Sequence, residues 1–84
     1  MGTLSELPNV GKVLEKNLIA VGIETPEQLR EAGEKEAFTR IRALCDPGAC
    51  LHMLYGIAGA ILGIPDKLLP DEKKAELKEF FKGL

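Results

Sequence analysis

The chain has 84 residues, the length of one small domain, able to bury roughly 60% of the surface its unfolded form exposes. Hydrophobic residues at 45% and charged residues at 29% make an ordinary globular composition, which excludes a disordered chain. Eleven Lys and Arg against thirteen Asp and Glu leave a formal net charge of -2, which excludes the broad positive field of a strong nucleic-acid binder and leaves room only for a local contact. The aromatic residues are Phe38, Tyr55, Phe80 and Phe81, with no Trp, too few for a platform on which single-stranded bases stack.

In chain order, the N-terminus lacks the basic region and apolar run of a secretory signal, which gives the expectation of a cytoplasmic protein. Met1-Gly2 could open a myristoylation motif, but Glu6 stands where Ser or Thr is required. Thr3 and Glu6 have capping-box spacing, which predicts a helical turn over 3–7. The stretch LPNVGKVLEKNLIAVGI follows, from Leu7 to Ile23. Pro8, Asn9 and Gly11 break regular structure, while Val10, Leu14, Leu18 and Val21 recur at three or four residues and mark the buried stripe of a helix. A hairpin at 9–11 therefore feeds a helix that reaches about Val21, with Gly22 as its left-handed stop.

Thr25-Pro26-Glu27-Gln28 is a strong helix start, with Thr25 as cap, Pro26 at the first helical position and Gln28 closing the box; that helix ends at Gly33. The next spans 34–45, burying Ala37, Phe38, Ile41 and Leu44, and Asp46-Pro47-Gly48 turns the chain. Residues 49–63 carry no charge and are apolar almost all round. The run is too short to span a membrane, contains glycines and is closed by Pro65, so it reads as the buried helix at the domain centre. Within it, Gly59 and Gly63 have the spacing that lets a neighbouring helix approach. The last helix begins with Pro70 at its first position and Asp71 and Glu72 in the first turn, and turns Leu77, Phe80, Phe81 and Leu84 inward. No segment alternates like a strand, so the fold class is all-α, a single domain over 1–84 with about five helices.

Catalytic constellations are absent from this pattern. His52 is the only histidine and lies in the least polar helix, reading as a surface or boundary residue near the turn after Gly48. With Cys45 and Cys50 it is half of a zinc set at most, and the two cysteines read as reduced packing residues. The acids sit beside lysines on solvated faces, as in Glu72-Lys73-Lys74, and no phosphate loop of the Walker or dinucleotide type is present. The expectation is a protein that is not an enzyme and uses no metal or cofactor.

A helix that starts straight after a tight hairpin points unpaired N–H groups and the positive end of its dipole outward, a geometry that receives an anion. The segment 3–23 resembles the helix-hairpin-helix, a sequence-independent DNA-binding element whose hairpin usually reads Gly-x-Gly; here Asn9 replaces the first glycine and tolerates the left-handed conformation better than most residues. That resemblance implies a helix-hairpin-helix or SAM-domain-like arrangement and a phosphate held by Val10, Gly11 and Lys12. A second reading stays open, in which the hairpin only joins two packed helices or docks a protein. Beyond the motif, LPNVGKVLEKNLIAVGIETPEQLREAGEKEAFTRIRAL, then MLYGIAGAILG, then LLPDEKKAELKEF, resembles the C-terminal domain of TfoX, the bacterial regulator of DNA-uptake competence, over nearly the whole chain. Ala58 departs from relatives that carry an acidic residue before that glycine, and the N-terminal domain of full-length competence regulators is missing, which implies a stand-alone version. The resemblance implies a regulatory module whose partner is DNA, bound weakly, or an unidentified protein, with no membrane, as a monomer or homodimer.

Overall fold

The first turn of the chain is a 3-10 turn, Leu4–Glu6, in a computed structural model that describes residues 3–84. Met1 and Gly2, on which a myristoyl motif would rest, lie outside the described residues. Four α-helices follow: α1, Lys12–Ala20; α2, Pro26–Leu44; α3, Leu51–Leu62; and α4, Asp71–Lys82, with a second 3-10 turn, Asp66–Leu68, between the last two. The described residues form no strand. The count is four helices where the sequence predicts five, because the two segments expected on either side of Gly33 form one element. They are not collinear. Gly33 adopts φ 84° and ψ 161°, outside any helical region and open only to glycine at low cost, so α2 bends where the sequence places a boundary.

Local signals hold at most of the ends. The Glu6 carboxylate accepts the Thr3 N–H at 3.1 Å. Thr25 Oγ1 accepts the Gln28 N–H at 3.1 Å, with Pro26 at the first helical position. The Gln28 side chain reaches one residue further back than a capping box requires, and accepts the Glu24 N–H at 2.7 Å. Gly22 and Gly63 take the left-handed conformation after α1 and α3. Pro70 is the cap of α4 and not its first helical residue, which leaves Asp71 and Glu72 to meet the positive end of the helix.

The core gathers the stripe of α1 (Val10, Leu14, Leu18, Val21), Ile23, then Leu29, Ala37, Phe38 and Ile41 of α2, Leu54, Ile57, Ala58 and Ala60 of α3, and Leu77 of α4. Helix α3 packs against both α2 and α4, as expected of the glycine-rich central helix. Phe80 and Phe81 are half-buried on α4, with the Lys35 ammonium over one ring and the Arg42 guanidinium over the other, each 5.6 Å from the ring centre. An ion-pair chain fastens the same helix: Lys73 Nζ lies 2.8 Å from Glu34 Oε2 and Lys35 Nζ lies 2.6 Å from Glu76 Oε2. The Glu34 hydrogen bond to its ammonium raises the Lys73 pKa against a smaller opposing cost of burial. The bond from Lys35 holds the Glu76 carboxyl below the usual carboxylate range.

Further expectations fail, most of them near the ends of elements. Leu44 and Leu84 are exposed: Leu44 is the last residue of α2, at the edge of the core, and Leu84 lies past the end of α4, after its cap Gly83. Cys45 and Cys50 are free and exposed, since they cap α2 and α3 on either side of the 46–48 turn and lie off both apolar stripes. Gly63 meets nothing, and no helix lies against Gly59; a Cβ built on Gly59 would stand 2.5 Å from Asn9 Nδ2 and 2.7 Å from the Ile64 carbonyl. The close approach is made by the hairpin and by the chain leaving α3. No helix among the described residues is long and apolar enough to cross a membrane.

Candidate functional site

The left-handed residue of the hairpin is Asn9, with φ 69°, the only such residue other than glycine among those described. Asparagine tolerates this region, and its side chain supplies what glycine could not. Nδ2 donates to the Ile64 carbonyl at 3.0 Å and to the Gly56 carbonyl at 3.3 Å, while Oδ1 accepts the Asp66 N–H at 3.1 Å. One amide thus joins the hairpin to α3, to the chain leaving it and to the second 3-10 turn. These partners lie 47 to 57 residues away in sequence.

The same turn sets the start of α1. Gly11 is its cap, with an extended backbone and no side chain to offer a hydrogen bond, and the first helical bond runs from the Glu15 N–H to the Gly11 carbonyl at 3.0 Å. The N–H groups of Lys12, Val13 and Leu14 precede that bond and face outward, as the first amides of a helix do. Of the three residues assigned to phosphate, Val10 has its side chain in the core and donates its N–H to the Leu7 carbonyl at 3.4 Å. Gly11 and Lys12 are exposed, and a Cβ built on Gly11 would meet nothing within 4 Å. The Lys12 ammonium enters none of the ion pairs among the described residues.

A hollow of about 480 Å³ opens beside this start. Gly11, Lys12, Val13 and Leu14 line it from α1, His52, Met53 and Gly56 from α3, and Asp66 from the second 3-10 turn, with Asn9 between them. Val13 is 73% exposed although it is apolar. His52 Nε2 stands 3.2 Å from Asp66 Oδ2; the histidine side chain is 82% exposed and the carboxylate 23%. A pair so open to water contributes at most about 1 kcal/mol. Its effect is local, in that it occupies the one carboxylate in the lining. The hollow presents an apolar wall, the first amides of α1 and one ammonium without an acidic partner among the described residues.

Sequence reading located the α1 half of this arrangement and missed the α3 half. His52, Met53 and Asp66 are separated from the hairpin by some forty residues or more, and no spacing rule links them to it. The available signal was the pair Gly56 and Gly59, three apart on one face of α3, where small residues admit the Asn9 side chain.

The TfoX C-terminal domain family model matches residues 1–81. Protein Sxy of Escherichia coli (strain K12) is 35% identical over 77 residues, which make up 92% of this chain and 36% of that protein; the chain thus spans little more than a third of the curated relative it matches. Among solved structures, an uncharacterized protein from Listeria monocytogenes in a triclinic crystal form superposes with a TM-score of 0.95 at 49% identity, covering 98% of this chain and 92% of that one. A protein of unknown function from Listeria monocytogenes, in a tetragonal form, gives 0.91 at 50% identity, covering 95% and 96%.

Proposed function

Because the chain belongs to the TfoX C-terminal domain family, we propose that it is a non-enzymatic regulatory module of DNA-linked, competence-type control, working by docking through the hairpin and the start of α1. The observation that carries this reading is the open start of α1. A helix of nine residues begins with a glycine cap and no capping side chain, with a lysine that pairs with no acid among the described residues, beside a hollow that none of the described residues fills.

Two ligands suit such a start. The first is a backbone phosphate of DNA, held by the amides of Gly11 and Lys12 with the Lys12 charge behind them, Val10 fixing the turn from within the core. Such contact is indifferent to base sequence and neutralises few phosphates, so affinity should be weak and fall only gently with salt. The second is a protein partner that links the module to DNA indirectly. The exposure of Val13, at 73%, supports this one, since a phosphate has no use for an apolar wall.

Fluorescence anisotropy with a labelled duplex at low salt tests the first. Lys12→Glu should weaken binding alike on every duplex while leaving stability within about 0.5 kcal/mol, because the side chain is exposed and touches no core. Absence of binding at a protein concentration of about 10⁻⁴ M, the weak end of non-specific affinities, would eliminate direct DNA contact and leave the partner reading.

A further inference from the structure

We infer that the hollow beside the α1 start recognises a partner-protein segment that places an aliphatic side chain next to a carboxylate. The inference rests on the partner reading above and names the chemistry of that partner.

The apolar half of the argument comes from the lining. Val13 and Met53 form walls from α1 and α3, and Gly11 contributes no side chain, with nothing within 4 Å of where its Cβ would stand, so the hollow is open on that side. An exposed valine is unremarked on most surfaces, but here it stands at the rim of a hollow of about 480 Å³, within the range of small-ligand sites and far smaller than a groove for a whole helix. One branched aliphatic side chain is an occupant of suitable size. It would cover apolar surface that the chain leaves in water.

The charged half comes from the same rim. The Lys12 ammonium has no acidic partner among the described residues, and the first amides of α1 present the positive end of the dipole. The only carboxylate in the lining, Asp66, has His52 Nε2 at 3.2 Å and its own N–H bonded to Asn9. Glu15 shares the first turn of α1 but neither lines the hollow nor pairs with Lys12, so within the lining the cation and the first amides lie on the α1 side and an engaged carboxylate on the other. Charge complementarity orients the occupant, with its carboxylate toward Lys12 and its aliphatic group against Val13 and Met53. The hairpin is bolted to α3 by the Asn9 amide, so both halves are fixed before anything binds.

N-acetyl-leucine carries both features and is the probe. Titrated into the full chain, with backbone amide and methionine methyl NMR signals followed, it should shift Gly11, Lys12, Val13 and Met53 together. N-acetyl-leucinamide, which lacks the carboxylate, should bind roughly two- to fivefold more weakly. Val13→Ser, at an exposed position that leaves the fold intact, should weaken N-acetyl-leucine about fivefold. Lys12→Gln should weaken N-acetyl-leucine and leave the leucinamide unchanged. Equal binding of acid and amide overturns the inference while sparing an apolar docking role. Inorganic phosphate that shifts the same amides at equal or lower concentration overturns it in favour of an anion site of the DNA kind. Shifts elsewhere, or none at the hollow up to about 50 mM of every probe, overturn the partner reading itself.

Discussion

Replacing Asn9 tests whether the hairpin is held by its side chain or merely tolerated by its backbone. Asn9→Gly keeps access to φ 69° and removes three hydrogen bonds, to the Gly56 and Ile64 carbonyls and from the Asp66 N–H. At about 0.5–1.5 kcal/mol each, three bonds would sum to several kcal/mol. Asn9 is exposed, however, so water takes over part of the role, and the expected loss is about 1–2 kcal/mol. Asn9→Ala loses the same bonds and adds about 1 kcal/mol for a Cβ held in the left-handed region. The ranking wild type, then glycine, then alanine in a urea titration supports the argument. A glycine variant within 0.5 kcal/mol of wild type, or an alanine variant no worse than glycine, refutes it.

Gly59 gives an independent check on the same contact. The Cβ of Gly59→Ala would press on Asn9 Nδ2 and on the Ile64 carbonyl, and overpacking of this kind costs about 1–3 kcal/mol. In the Asn9→Gly background half of that collision is gone. The double variant should then be less destabilised than the sum of the singles by about 0.5 kcal/mol or more, whereas strict additivity would show that Asn9 does not sit against α3.

Ile57→Ala, at a fully buried site, should cost about 2–5 kcal/mol in the same titration. The sequence pattern suggests a similar cost for Leu62→Ala, but Leu62 is 54% exposed at the last turn of α3, and its loss should stay below about 1 kcal/mol. The folded-state pKa of Lys73 is raised, chiefly by its hydrogen bond to Glu34, so its contribution is complete below the ordinary lysine pKa and is lost as pH rises through the folded value. The folded pKa of Glu76 is lowered, first by Lys35, so its contribution is present above the ordinary glutamate pKa and is lost as pH falls through the folded one. The stability gap between wild type and Lys73→Met, from denaturant titrations at successive pH values, should be flat across neutral pH and narrow at both extremes.

Elements were legible where the cause is local. The stripe Val10, Leu14, Leu18, Val21 buries as spaced, Thr25 caps as its hydroxyl allows, and Gly33, with its non-helical backbone, breaks α2 into two helical segments where the sequence places a boundary. Errors fell where periodicity runs past the core it serves. Leu44 and Leu84 continue the apolar spacing of the residues before them, yet Leu44 sits at the last residue of α2 and Leu84 beyond the end of α4, and a spacing rule carries no information about where the helix or its partner surface stops. Cys45 and Cys50 failed for a related reason: their type favours burial on average, but cap positions on either side of a turn project away from both stripes. At the hairpin, sequence reading saw that Asn9 could adopt the left-handed turn. It could not see the amide's partners, because those are backbone groups of residues 56, 64 and 66, and backbone groups leave no trace in residue identity.

That choice of asparagine has a consequence for docking. With glycine at position 9 the turn would be available but not tethered, and the α1 start could move relative to Met53 and His52 on α3. Any ligand would then have to order the two walls on arrival, at a cost taken from its affinity. The Asn9 amide fixes them in advance, and Gly59, which lies behind it and does not line the hollow, is what lets it seat. Gly59→Ala therefore separates seating from contact. Measured well below its unfolding transition, the variant should bind the hollow's ligand several-fold more weakly than wild type, although no atom of the lining has changed. Unaltered affinity in a folded Gly59→Ala protein would mean that the hollow is shaped by α1 and α3 alone, and that the clamp contributes to stability and nothing to recognition.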